Sequence, residues 1–204
     1  MDEPSRRVRR RYDRIAPVYE ALEAPLEALA LGRWRRRLLA MVRGPEVLEA
    51  GAGTGKNLPL YPGHVGLTAV DLSPRMLARS RRKPGPAGLR RAVMDVERLA
   101  LADDAFDETV ATFLFCSVAD PVAGLRELGR VVRPDGRILL LEHVRPGGPW
   151  MGPLFDVLDP LTVRTMGPHI NRDTVANVRR AGLVIETDEP LFRDIVRLLV
   201  CRPG

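Results

Sequence analysis

The run Val47-Leu48-Glu49-Ala50-Gly51-Ala52-Gly53-Thr54-Gly55 sets three glycines at every second position directly after an apolar stretch. Glycines accept positive φ and leave room where a Cβ would collide, so bare backbone N–H groups approach a bound group closely. Between a strand and a helix, such a loop holds phosphate, dinucleotide or nucleoside groups, and spacing separates these options. A P-loop needs a glycine five residues before its Gly-Lys pair and a hydroxyl residue after it, where Ala50 and Asn57 stand. The dinucleotide fingerprint needs a third glycine at position 56, which is Lys56. Two acids follow at strand ends. Asp71 suits a pair of ribose hydroxyls, an arrangement shared with nicotinamide enzymes, so an NAD(P)-dependent oxidoreductase is one reading; Asp95 is the second acid.

Other chemistry-bearing residues gather further along. Glu142 and His143 stand at the carboxyl end of a predicted strand, the rim where open α/β sheets bind ligands; each either takes a proton or makes a structural hydrogen bond. His169 and Asn171 follow a long connection and either reach a substrate or cap a helix. His64 lies in a loop. Cys116 and Cys201 lie in apolar runs outside any CxxC or Cys/His set, which predicts reduced thiols, no structural zinc and no metal site.

These residues require an α/β scaffold. From Glu46 the chain alternates β-rich and helical stretches, the pattern of a mainly parallel sheet. Strands are expected at 46–50, 66–71, 89–95, 108–115 and 137–144, with 183–188 and 194–202 closing the sheet. The glycine loop opens a helix broken by Pro59 and Pro62. Ser73-Pro74 and Asp120-Pro121 each read as an N-cap with proline at the first helical position. Val122, Leu125, Leu128, Val131 and Val132 give the second of these helices an apolar face, and 134–136 reads as a turn. Asn171 or Asp173 caps a further helix that ends at Gly182. Residues 145–170 form a Pro- and Gly-rich connection with Trp150, Met151, Leu154, Phe155 and Met166; connections of that length inside a domain are usually functional.

At 204 residues and 45% hydrophobic content the chain can build one core, which excludes a disordered tail protein. The net charge is +6, and Lys56 and Lys83 are the only lysines among 32 basic residues. Residues 1–43 hold eleven arginines against six acids, so the basicity belongs to an N-terminal helical arm or lid, with the domain proper at 44–204. The stretch 26–43, with Trp34, Arg35, Arg36 and Arg37, is either a core-packing helix with a basic outer face or a helix lying on an anionic membrane. No nucleic-acid motif is present. The longest apolar run, 110–119, is far short of the ~20 residues of a membrane span, and the first twenty residues are not signal-like. A cytoplasmic protein, with contact to the inner face of the membrane through the arm, is the expectation.

Taken together, Glu49 with the G-x-G-x-G loop, Asp71, Asp95 in MDVERLALADDAFD, and LRELGRVVRPDGRILLLEH resemble the motifs of class I S-adenosylmethionine (SAM) dependent methyltransferases. The resemblance spans nearly all of 12–144. It is nearest to the branch of ubiquinone/menaquinone C-methyltransferases, bacterial phosphatidylethanolamine N-methyltransferases and membrane-associated thiol methyltransferases, through YDRIAPVYE, FCSVADP, LEHVRP and HINRDTVANVRRAG. It implies a Rossmann-like fold, a seven-stranded mainly parallel sheet with helices on both faces and an N-terminal helical arm. It implies SAM as cofactor and S-adenosylhomocysteine as product. Gly51, Gly53 and Gly55 would line the methionine part, with Glu49 near its amino group. Asp71 would hold the ribose, Leu72 and Met76 would flank the adenine, and Asp95 and the Val96 backbone would meet its edge. Phe115 would lie near the sulfonium. Tyr12 and Tyr19 would cover the cofactor, or serve equally as anchors of the arm. The acceptor implied is an apolar or amphipathic small molecule: phosphatidylethanolamine-type lipid first, then a quinone precursor or a lipophilic thiol.

Overall fold

The computed structural model describes residues 1–145, 152–153, 156–157, 159, 171–192 and 195–204. Seven strands form one sheet: β1 (Glu46–Ala50), β2 (Gly66–Asp71), β3 (Arg90–Val93), β4 (Phe106–Thr112), β5 (Val132–His143), β6 (Leu183–Phe192) and β7 (Val196–Pro203). Their order is β3-β2-β1-β4-β5-β7-β6. The first five pair in parallel and β7 runs antiparallel to both of its neighbours. Crossovers between parallel strands return each strand in the same direction, so β1, β2, β4 and β5 deliver their carboxyl ends to one rim.

Buried on both faces, the central strands send alternate side chains to two cores. Val47, Leu67, Val110, Leu139 and Leu198 face one layer; Leu48, Val70, Ala111, Leu140 and Leu199 face the other. The second layer holds α5 (Pro121–Val131) and α6 (Thr174–Arg180). α4 (Pro74–Ser80) is capped by Ser73, whose Oγ accepts the Met76 amide at 3.1 Å, and Asp120 caps α5 through the amides of Val122 and Ala123. For α6 the cap is Asp173.

The N-terminal region is three helices: α1 (Glu3–Ile15), α2 (Tyr19–Leu26) and α3 (Gly32–Leu39), the last two joined by a π-helical turn at Glu27–Leu31. Leu31, Trp34, Leu38, Leu39 and Val42 recur at helical spacing and belong to the first core, so α3 is a structural layer. α1 buries only Ser5, and α2 has no buried residue. α1 and α2 are the part of the expected arm or lid that stands outside both cores. Trp34 is buried and its ring lies 6.3 Å from that of Phe192, which agrees with the core-packing reading of 26–43 and not with its membrane-surface alternative.

Three further expectations need correction. The helix after the glycine loop is a single 3-10 turn at Leu58–Leu60, because prolines at 59 and 62 remove amide donors. Residues 134–136 lie within β5, where the pairing shifts between Phe106 and Glu108 of β4; the turn residues are absorbed by an irregularity. β4 ends at Thr112, since Phe113 takes φ +53° and turns the chain away from the sheet.

Candidate functional site

Where β1 ends, Gly51 takes φ +69° and Gly53 φ +56°. A Cβ on Gly51 would stand 2.6 Å from Leu114 Cδ1, whereas one on Gly53 would find no atom nearer than 3.9 Å. Gly51 is a close-packed corner, and Gly53 leaves open space. The turn is held by Asp71, the last residue of β2: Oδ2 accepts the Gly53 amide at 2.8 Å, and Oδ1 accepts the Ser73 amide at 2.8 Å. Burial pushes the Asp71 carboxyl up to about 6, against the lowering effect of those two amides.

Two pockets meet at Gly51. The first, about 410 Å³, is walled by Asp71, Leu72, Met94, Asp95, Val96 and Leu114, and closed by Ser5 and Val8 of α1 and by Ser117. Mainly apolar walls together with the acids Asp71, Asp95 and Glu97 suit a heteroaromatic ring joined to a sugar. The second, about 320 Å³, lies between the 51–54 loop and Tyr19, Glu23, Arg35, Lys56, Thr112 and Phe113. It is polar and rich in charge.

Below the second pocket runs a buried network. Asn57 donates to Glu49 Oε1 at 2.8 Å and to Thr112 Oγ1 at 3.0 Å; Arg35 Nη1 donates to Thr112 Oγ1 at 2.7 Å and to Asn57 Oδ1 at 3.1 Å. Glu49 is fully buried beside the buried Tyr61 hydroxyl, and burial pushes its carboxyl up to about 7, against the lowering effect of Asn57.

The lid is attached by polar contacts. The Tyr12 and Ser117 hydroxyls lie 2.5 Å apart, Ser73 Oγ donates to Asp13 Oδ1 at 2.5 Å, and Lys56 Nζ reaches Glu23 at 2.6 Å and Glu27 at 3.3 Å. Lys83 pairs with Glu20. Tyr12 meets Tyr19 edge-on at 6.3 Å, and burial raises both phenols, so both are neutral.

Several expected site residues stand elsewhere. Gly51, Gly53, Asp71, Leu72, Asp95, Val96 and Tyr19 line the two pockets; Glu49 and Tyr12 line neither, and bond to Asn57 and Ser117. Gly55 lines neither, because it packs against Leu58 and Ser80. Met76 is buried in α4, and Met94 takes its place in the wall. Phe115 lies in the second core; the positive φ of Phe113 turns Phe113 and Leu114 to the pockets instead.

Of the candidate proton acceptors, Glu142 is fully buried and its Oε1 accepts the Leu114 and Phe115 amides at 2.8 and 3.2 Å. It lines neither pocket and pins the 113–115 turn; burial pushes its carboxyl up to about 8. His143 packs 4.7 Å from the Phe113 ring, and burial lowers it to about 4, so the imidazole is neutral. His169 lies outside the described residues. Cys116 and Cys201 are buried free thiols, the former pushed up to about 12 by burial and by Glu142.

Sequence reasoning missed Arg35, Asn57, Thr112 and Ser117. For Arg35 a signal existed: of arginines 33, 35, 36 and 37 it alone falls on the apolar stripe of Leu31, Trp34, Leu38 and Leu39.

A seven-stranded doubly wound sheet with a side-chain-free corner after β1 and a carboxylate ending β2 defines a Rossmann-like nucleoside-binding domain. Residues 48–140 match the family described as a methyltransferase domain. The chain is 42% identical over 122 residues to a phosphatidylethanolamine N-methyltransferase of Cereibacter sphaeroides, covering 56% of this chain and 60% of that one. It is 38% identical over 145 residues to a demethylmenaquinone methyltransferase of Thermus thermophilus, covering 66% and 65%. It thus spans about three fifths to two thirds of the length of these relatives. A SAM-dependent methyltransferase structure from Thermotoga maritima superposes with a TM-score of 0.69 at 20% identity, covering 93% of this chain and 96% of that one. The chain carries a class I SAM-dependent methyltransferase domain, and the nicotinamide reading is set aside.

The residues present fit SAM. The space beside Gly53, the buried Glu49 carboxylate and the Asp71 carboxylate suit a thioether, an ammonium and a ribose in that order.

Proposed function

We propose that the chain transfers the methyl group of SAM to an apolar or amphipathic small molecule, with the amine of a phosphatidylethanolamine-type lipid as first acceptor. The observation that carries this reading is the pair of pockets that share Gly51, one mainly apolar, the other charged and lined by Tyr19 and Glu23 of α2. When bound, SAM supplies an activated methyl group at its sulfonium. Asp71 orients the ribose, α1 and α2 exclude water, and Phe113 closes the wall toward the acceptor. Placement of this kind lowers a barrier by about 7–11 kcal/mol without a covalent residue. Glu142 Oε1 accepts two backbone amides, and neither Glu142 nor His143 lines either pocket, so neither is assigned as the base.

The acceptor class is supported by the outer side of the lid. Val18, Leu22, Leu26 and Leu29 are 52, 59, 55 and 81% exposed, and Ala21, Ala24, Pro25 and Ala28 beside them are exposed too. The acids of this segment turn inward: Glu20 to Lys83, Glu23 and Glu27 to Lys56. Exposed Arg14 and Arg33 border the face. This is the surface we assign to peripheral contact with an anionic lipid layer, in place of the Trp34 face. Among the described residues no helix is long and apolar enough to cross a membrane.

The similarity to the demethylmenaquinone methyltransferase extends over more of this chain than that to the lipid enzyme, and favours a quinone precursor as the second reading. Incubation with methyl-labelled SAM across phosphatidylethanolamine, quinol and lipophilic thiol acceptors decides: label on the lipid amine supports the proposal, label on a quinol ring or thiol replaces it.

A further inference from the structure

Away from the two pockets, a groove of about 530 Å³ runs between the Ala16–Pro17 turn, which joins α1 to α2, and the outer face of α4. Ala78 lies in its floor, and its charged walls are all cations: Arg75, Arg79 and Arg82. These stand four and three residues apart, so they share one face, where like charges repel and do not support the helix. Among the described residues no carboxylate pairs with any of the three guanidiniums. The acids nearby are engaged elsewhere. Asp13 Oδ1 accepts the Ser73 hydroxyl at 2.5 Å and the Arg75 amide at 3.3 Å, its Oδ2 faces Arg9 at 3.7 Å, and Glu20 pairs with Lys83. On α1, by contrast, Arg6, Arg7 and Arg10 all face Glu3. Three unpaired guanidiniums around one groove are complementary to the oxygens of a phosphate. The chain beyond the groove selects the source of that phosphate. Pro17 leads directly into Val18, the first of the exposed apolar residues Val18, Leu22, Leu26 and Leu29. A free phosphate makes no use of such a surface, whereas a phospholipid uses both, its headgroup on the arginines and its chains beside α2.

We propose that Arg75, Arg79 and Arg82 form a site for the headgroup phosphate of an anionic phospholipid, set on the body of the domain and separate from the cofactor pockets. The lipid held there is a component of the surface and not the methyl acceptor. The proposal rests on the reading of the α2 face as a peripheral lipid contact and adds a headgroup site to it. Because the groove has α4 on one side and the α1–α2 turn on the other, a headgroup in it touches both and ties the arm to the body while the protein sits on the lipid layer.

The test is sedimentation with phosphatidylcholine vesicles that contain or lack phosphatidylglycerol. It compares wild type with the triple variant Arg75→Gln, Arg79→Gln, Arg82→Gln, and with a control that removes equal charge from exposed arginines elsewhere: Arg43→Gln, Arg179→Gln, Arg180→Gln. The groove variant should bind phosphatidylglycerol vesicles about 30- to 150-fold more weakly than wild type, and the control no more than about fivefold more weakly. Equal weakening in the two triple variants would reduce the effect to net charge, and unchanged binding by the groove variant would leave the groove out of the contact; either overturns the proposal. Titration with inorganic phosphate separates the sources. No saturable heat is expected, and phosphate binding that the groove variant loses while its vesicle binding persists would assign the groove to a free anion and overturn the lipid. Should the triple variant not fold, Arg79→Gln alone carries the comparison, about fivefold weaker than wild type beside an unchanged Arg179→Gln; equal binding by both overturns the proposal. A wild type that sediments with neither vesicle removes the peripheral-contact reading itself, a result distinct from loss in the groove variant alone.

Discussion

At the edge of the first pocket, which Ser117 lines, the hydroxyls of Tyr12 and Ser117 lie 2.5 Å apart and join α1 to the loop that follows β4. Ser117 lines the pocket and Tyr12 does not, so this bond couples closure of the lid to the wall of the site. α1 buries only Ser5, which leaves polar contacts to hold it. Tyr12→Phe removes one hydrogen bond worth about 0.5–1.5 kcal/mol. Trypsin should cut faster among Arg6–Arg14, and affinity for S-adenosylhomocysteine should fall by about 2- to 10-fold. Unchanged cleavage would mean that the bond does not latch the lid.

The two glycines of the corner separate folding from binding. Gly51→Ala places a Cβ against Leu114 at positive φ and should cost about 2–4 kcal/mol in thermal or denaturant unfolding. Gly53→Ala meets no neighbour, so its cost is the positive φ alone, about 1–2 kcal/mol. Its methyl group occupies the space left for the cofactor, and S-adenosylhomocysteine affinity should fall at least about tenfold. Comparable affinity in Gly53→Ala and wild type would place the ligand elsewhere.

Burial raises three carboxyls, Asp71 to about 6, Glu49 to about 7 and Glu142 to about 8. The unfolded chain releases these protons near pH 4, so above that pH the native state holds more protons than the unfolded one. Their contribution to stability is present at low pH and is lost as pH climbs through about 6 to 8. Glu142→Gln keeps an acceptor for the Leu114 and Phe115 amides and removes the charge. It should exceed wild type in stability by on the order of 1–3 kcal/mol at pH 8.5 and match it near pH 5. A constant difference across that range would contradict the burial of an ionising group.

Replacing Leu22, Leu26 and Leu29 with serine should abolish sedimentation with anionic vesicles while leaving the melting temperature within a few degrees, since none of the three is buried. Retained, salt-insensitive vesicle binding would move the contact to another surface.

Much of this architecture was legible in the chain. The strand and glycine pattern, the caps at Ser73 and Asp120, and the acids at 71 and 95 are local features, and local physics positions them. What the sequence did not disclose depends on tertiary geometry. The positive φ of Phe113 rotates the following residues, so Leu114 and not Phe115 meets the pocket. Glu142 stands on the right rim, but its carboxylate is taken by amides 27 and 28 residues away in sequence. Arg35 was hidden in a basic run whose charge suggested a surface, although its position on the apolar stripe marks it as buried.

Calorimetric titration of S-adenosylhomocysteine against the wild-type chain and Asp71→Ala tests the central claim most directly. The proposed reading predicts one-to-one binding by wild type and a loss of at least about 100-fold in the variant, since the carboxylate holds the Gly53 turn and is the group proposed to meet the ribose. No binding by wild type, or equal binding by both proteins, would contradict it.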